Sequence, residues 1–236
     1  MDIRISRTLA CAAVLTAALG LGGCKAATVG ADPKGGPTSG ASAPRAAHGS
    51  ALEAANALPV KGRATKTGYA RDQFGAAWAD VDHNGCDTRD DILKRDLKKL
   101  TFRSGTKECI VTGGSLADPY TGTKILYKRG ASKVDIDHAV ALSDAWQKGA
   151  QKWTKDRRKE FANDPLNLLA VDASTNRRKS DGDTATWLPP NTGYRCAYVA
   201  RQVAVKKKYG LWVSSGEKAA MRTVLTTCPK EALPAG

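Results

Sequence analysis

Apolar positions fall along the chain in blocks, and each change in their spacing predicts a different kind of element. The first block, Leu9 to Leu21, follows Arg4 and Arg7; it is continuous but too short to span a bilayer, the pattern of a signal-peptide core. From Lys25 to about Leu58 large apolar side chains nearly vanish among Ala, Gly, Pro, Ser and Thr. Such a stretch buries too little surface to offset its ordering entropy and reads as a flexible tether. Phe74, Ala77 and Trp78 then make one apolar patch, and Leu93, Leu97 and Leu100 repeat at helical spacing, so Tyr69 to Leu100 is predicted helical.

After Glu108 the pattern turns to β. Cys109 to Thr112 and Lys124 to Tyr127 are β-prone runs separated by Gly113-Gly114 and the turn-rich Asp118 to Gly122. They predict a small sheet beside a further strand, Val134 to Asp137. Leu142, Ala145, Trp146 and Gly149 form a helical stripe for the core, and Asn167 opens a second apolar strand. Asp172 is a suitable N-cap for a short polar helix, Ala173 to Lys179. Trp187 to Asn191 reads as a packed bend before two amphipathic helices, one carrying Cys196, Val199, Ala200 and Val203, the other Met221, Val224, Leu225 and Cys228. The expected class is α+β, a small antiparallel sheet surrounded by helices.

The apolar block and the tether divide the chain into a signal peptide over 1–23, a linker over 24–60 and one domain over 61–230. Leu21-Gly22-Gly23-Cys24 resembles a bacterial lipobox, which makes Cys24 the expected lipidation site and the outer face of a membrane the expected location. Ordinary secretion is the alternative. Cysteine usage agrees with export. Beyond Cys11 and Cys24 the chain holds Cys86, Cys109, Cys196 and Cys228, none of them in a C-x-x-C pattern, so disulfides are preferred over a zinc site. Antiparallel packing of the last two helices sets Cys196 against Cys228 and leaves Cys86 for Cys109.

The formal net charge of +14 narrows the partners to anions. Arg157-Arg158-Lys159, Arg177-Arg178-Lys179 and Lys206-Lys207-Lys208 cluster on the C-terminal side, and a basic surface attracts nucleic acid through phosphates without regard to sequence. Cell-wall polymers and lipid headgroups are attracted by the same charge. No base-reading helix and no dimerisation motif is visible, so low sequence preference is expected and the oligomeric state is left open.

The candidate chemistry lies between Val134 and Asp183. Asp137-His138 ends a strand, Asn167 opens the next, Asn176 stands nine residues further on, and Lys179 follows on the same helix face. This order and spacing, with the words DIDHAVALSDAW, FANDPLNLLAV, NRRKSDGD and WLPPN, resembles the HNH (ββα-metal) nucleases. The likeness is to their secreted branch, related to the C-terminal domain of GmrSD-type restriction endonucleases, over about Tyr69 to Cys228.

The resemblance implies a ββα-metal core and hydrolysis of phosphodiester bonds, with DNA as the expected substrate. His138 is the expected base for water, and Asp137 and Asn176 the oxygen ligands of one divalent cation, Mg²⁺ or Mn²⁺. The family pattern makes Asn167 a structural clamp on the loop after the histidine. It also makes Lys179 a neutraliser of the scissile phosphate, with Arg177, Arg178, Arg157 and Arg158 as candidate contacts to flanking phosphates. Because neighbours on a strand point to opposite faces, Asp137 and His138 can share a site only if the strand ends or turns there.

Asp80, Asp82 and Asn84 before Gly85 make the front half of a calcium loop, but Asp and Asn beside Gly are also ordinary turn chemistry, which is the preferred reading. The rival function is a non-catalytic basic lipoprotein that binds anionic polymers.

Overall fold

The computed structural model describes residues 49–130 and 133–235. The signal peptide, Cys24 and the first part of the expected linker lie outside these residues. The rest of that linker is not a tether. Ser50 caps a helix, α1 (Ala51–Ala57), accepting from the Glu53 N–H. Ala51, Leu52, Ala55 and Leu58 are all buried, in the same cluster as Val199, Val203, Met221 and Leu225. A short amphipathic pattern so rich in alanine carries little signal by itself, and tertiary packing stabilises it.

The region predicted wholly helical is mostly not. Arg71–Phe74 is a single 3-10 turn, and Ala77 and Trp78 lie in the loop beyond it. Helix α2 (Thr88–Asp96) starts at the Asp87 cap and stops at Leu97, where strand β1 (Leu97–Phe102) begins. Leu97 and Leu100 therefore sit on a strand, and their spacing from Leu93 mimicked a helix stripe. Strand β1 pairs with β2 (Val111–Ala117), which pairs with β3 (Lys124–Lys128), all antiparallel.

A second, separate two-stranded ribbon is made by β4 (Val134–His138) and β5 (Leu168–Asp172), also antiparallel. The expected single sheet is thus two. Between these strands the chain runs through α3 (Leu142–Gln147) and α4 (Lys155–Asn163); after them come α5 (Ala173–Lys179), α6 (Arg195–Tyr209) and α7 (Ser215–Leu225). The class is α+β, with small antiparallel sheets and, among the described residues, seven α-helices. None of these helices is long and apolar enough to cross a membrane.

The ribbon lies between two cores. Val134, Ile136, Leu168 and Ala170 pack with α2 and the three-stranded sheet, while Leu169 and Val171 pack with α1, α6 and α7. Strand alternation delivers this split, since successive side chains face opposite ways. Both disulfides form as expected, Cys86 with Cys109 and Cys196 with Cys228.

A buried ionic cluster joins the helices. Lys148 donates to Asp183 (2.8 Å) and Glu217 (2.6 Å) and forms an ion pair with Asp144 (2.6 Å), and Lys206 donates to Asp144 (2.9 Å) and pairs with Glu217 (3.0 Å). Arg63 closes the set on Asp144 and Asp183. Burial pushes the Asp183 carboxyl up, but Lys148 and Arg63 outweigh it and hold it at about 2. Lys206 is thus an internal cation and not part of a basic surface.

Two measurements test this architecture. A chain beginning at Lys61 lacks buried Leu52 and Leu58, each worth roughly 1.5–3 kcal/mol, so its urea midpoint should lie well below that of a chain beginning at Gly49; equal midpoints would remove α1 from the core. Lys148→Met leaves three buried carboxylates short of a cation and should cost about 3–5 kcal/mol. A loss under roughly 1 kcal/mol, the scale of an exposed pair, would show that the cluster is solvated.

Candidate active site

Strand β4 runs to His138, which is still paired with Leu168, and Asp137 is paired with Leu169. The strand ends directly after the histidine, and both side chains line one polar cavity together with Asn176, Ser143 and Asp181. The turn that follows is tightly held. Asn167, fully buried, accepts from the Val140 N–H with its Oδ1 (2.8 Å) and donates from Nδ2 to the Val140 carbonyl (3.2 Å). The Ala139 N–H donates to the Asn167 carbonyl (2.7 Å), and Gln202 of α6 donates to the Ala139 carbonyl (2.9 Å).

Asp137 is gripped on both oxygens. Lys179 Nζ donates to Oδ1 (3.0 Å) and also to the His138 carbonyl (2.9 Å), while the Tyr120 hydroxyl donates to Oδ2 (2.5 Å). Burial pushes the Asp137 carboxyl above its ordinary value, and Lys179 and Tyr120 pull it back only in part. The expectation for Lys179 was contact with the scissile phosphate. The structure instead buries it to 2% exposure against Asp137, so its charge acts through that carboxylate.

His138 is also buried, and burial pushes its pKa down to about 3. Its Nε2 lies 2.9 Å from the Ala162 carbonyl. A carbonyl only accepts, so Nε2 carries the hydrogen and Nδ1 carries the lone pair. The ring is neutral at physiological pH, with one nitrogen fixed and the other free to take a proton. The Trp78 indole lies nearly parallel to it, with a 13° tilt and 6.1 Å between centroids.

Asn176 sits on α5, whose start is fixed by the Asp172 carboxylate accepting from the Thr175 N–H (2.7 Å). Its Nδ2 donates to Asp135 Oδ2 (3.3 Å), which leaves the amide oxygen as the atom available for a cation. Among the described residues no three His, Cys, Asp or Glu side chains converge on a metal site. The donors here are one carboxylate and one amide oxygen. Such a set fits Mg²⁺ or Mn²⁺, which keep several waters and take further oxygens from a phosphate.

The other basic candidates separate. Arg177 and Arg178 are exposed on α5, Arg178 donating to Ser174 and Thr175. Arg158 is buried: it donates to the carbonyls of Gln73 and Trp153 and lies over the Trp146 ring, which makes it a structural residue and not a phosphate contact. Arg157 is exposed but donates to the Tyr209 carbonyl and stacks on Trp153, away from the cavity. In the Asp80 loop the acceptors serve the turn itself, with the Gly85 N–H on Asp80, the Asn84 N–H on Asp82 and the Cys86 N–H on Asn84.

Three residues at the site were missed. Tyr120 belongs to a segment that reads only as a turn, and nothing local announces its bond to Asp137. Trp78 is placed by a left-handed backbone (φ 60°), which no apolar pattern reveals. Arg71 lines the polar cavity and a second one behind His138, and its exposed charge was not distinguishable from many others.

Comparison with known proteins places this geometry in context. The family model for GmrSD restriction endonucleases, C-terminal domain, matches residues 87–224. An uncharacterised secreted protein of Arthroderma benhamiae is 39% identical over 173 residues, covering 72% of this chain and 81% of that protein.

The depressed histidine gives a prediction for stability. Unfolded His138 titrates near ~6.5, whereas folded it titrates at about 3. Between these values the unfolded chain binds a proton that the folded chain does not, so stability should be full above ~6.5 and decline as pH falls toward 3. Urea midpoints across this range for wild type and His138→Gln isolate the effect by difference. Parallel curves would mean that His138 is not buried as a neutral ring.

Proposed function

This chain belongs to the family of GmrSD restriction endonuclease C-terminal domains, and on that premise we propose that it is an exported metal-dependent endonuclease of HNH type. The substrate is nucleic acid, DNA cut with little sequence preference. In this reading β4, β5 and α5 are the ββα-metal core. The observation that carries it is His138: a neutral imidazole, fixed through Nε2 to the Ala162 carbonyl, lining one cavity with Asp137 and Asn176.

The chain's own groups have distinct tasks. His138 Nδ1 takes a proton from a water as its oxygen attacks phosphorus, the bond from phosphorus to the 3′ oxygen breaks, and the departing oxygen is protonated from solvent. Neutral His138, with its Nδ1 unprotonated, is the form that can accept this proton. Asp137 and Asn176 would hold a divalent cation, Mg²⁺ or Mn²⁺, which when bound supplies Lewis-acid stabilisation of the phosphate and the leaving oxygen. Lys179 and Tyr120 orient Asp137, and Asn167 with Gln202 fixes the turn that presents His138. Arg71 and Lys66 at the rim, with exposed Arg177 on α5, offer charge to the phosphates on either side.

The secreted relative and the two disulfides support a location outside the cytoplasm, and a lipid anchor at Cys24 belongs to the same proposal.

Cleavage of supercoiled plasmid in Mg²⁺ or Mn²⁺, and in EDTA, tests the reading. His138→Ala should reduce turnover by about 10²- to 10⁴-fold while retaining plasmid binding, and Asn176→Ala should raise the metal concentration needed. A His138→Ala protein that cuts at the wild-type rate would falsify the mechanism. Retardation of DNA with no cleavage under either metal would favour the non-catalytic polymer binder.

A further inference from the structure

His138 lines two cavities, and the proposed chemistry uses only the polar one. The second lies behind the imidazole, with a volume of about 260 Å³, and is walled by Trp78, Phe74, Leu142 and Ala162. We propose that it is a nucleobase subsite, taking the unpaired base of the nucleotide next to the scissile phosphate. The inference rests on the nuclease reading and sharpens its substrate class to single-stranded or frayed nucleic acid.

Shape supports one flat ring system. The volume falls just below the roughly 300 Å³ at which drug-sized ligand sites begin. Trp78 and His138 are near-parallel rings that both line the space, so a flat ring is best accommodated parallel to them. Aromatic faces of this kind hold unpaired bases with little regard for identity.

Polar groups support a base over a plain apolar ligand. Asn163 also lines the cavity and is 1% exposed; its Nδ2 donates to the Lys159 carbonyl (2.9 Å), but its Oδ1 has no hydrogen-bond partner. A buried amide oxygen left unpaired is costly, and a base's amino group or ring N–H would satisfy it. Asp72 adds a second acceptor at the rim. Arg71 lines both cavities, which puts a guanidinium where a phosphate would join a base in one to the reacting centre in the other.

Backbone strain points the same way. Trp78 sits at φ 60°, a conformation that bulky residues seldom adopt and that recurs where a side chain is held for a ligand. A base inside a duplex has both faces stacked and its edge paired, so only an unpaired or extruded base can enter.

The first arm of the test reads the cavity without any cleavage. Isothermal titration calorimetry follows thymidine monophosphate, adenosine monophosphate and ribose 5-phosphate binding to the full chain, for wild type, Trp78→Phe and Trp78→Ala. The nucleotides should bind the wild type, the sugar phosphate should not, and Trp78→Ala should bind at least about tenfold more weakly, the scale of base stacking. Trp78→Phe keeps a ring and should bind nearly as wild type, which separates stacking from misfolding. No nucleotide binding by wild type, or equal binding by Trp78→Ala, overturns the subsite.

The second arm compares kcat/KM on a single-stranded oligonucleotide and on one with an abasic residue beside the only scissile linkage. Wild type should lose about tenfold on the abasic strand, and Trp78→Ala should lose almost nothing further. Equal rates on both strands overturn the subsite and leave the nuclease intact. Binding in the first arm with no cleavage of any strand rejects the nuclease and keeps the base site.

Discussion

The buried ionic cluster centred on Lys148 is the constraint on which the rest of the domain depends. Its cations and carboxylates come from the Arg63 arm, α3, the segment after α5, α6 and α7, and the six groups cancel in formal charge. Taking any one of them out of water alone is expensive, and the mutual attraction offsets that cost only when the geometry is complete. The elements must therefore assemble together. Two of the carboxylates bracket the site: Asp144 stands just beyond the turn that follows His138, and Asp183 just beyond Lys179. Fixing them fixes the far ends of the two segments that form the polar cavity.

The same logic recurs at smaller scale around Asp137. A carboxylate this buried is tolerated because Lys179 and Tyr120 satisfy its two oxygens, and each donor ties it to a different part of the fold. Lys179 binds β4 to α5, and Tyr120 brings in the turn between β2 and β3 and, through ring contacts with Trp187 and Tyr198, the cluster under α6. Both donors leave lone pairs on the carboxylate, so the group stays capable of binding a cation while being unable to swing. Preorganisation of this kind is what a reacting centre requires, since a loose ligand would have to be ordered at each turnover.

Much of the site was legible because its signals are local. The Asp172 cap, the span of α5 and the Asp137-His138 pair at a strand end depend on residues adjacent in sequence, and the structure has α5 over the expected range. The Cys196–Cys228 pairing is legible because Cys196 begins one amphipathic helix and Cys228 follows the other. What was not legible depends on partners distant in the chain. Leu97 and Leu100 continue the spacing of α2, yet both lie on β1, where Leu97 is paired with Leu116 of β2, a partnership that no local pattern encodes. Helix α1 lacks intrinsic signal and exists because α6 and α7 offer it an apolar face. Arg158 and Lys206 show the limit of reading charge: in sequence each stands in a basic run, and in space each is inside.

That last point changes how the net charge of +14 bears on function. Lys148, Lys179 and Lys206 are buried, and all three are paired with internal carboxylates. They set geometry and add nothing to the surface charge. Attraction of an anion falls to exposed Lys66 and Arg71, which line the cavity, and to basic residues elsewhere on the surface, Arg177 of α5 among them. Surface charge of this sort raises encounter rates and is screened by salt, whereas the buried pairs are screened far less. Anion attraction and internal geometry are thus served by different cations, so salt can weaken the first while leaving the second almost untouched.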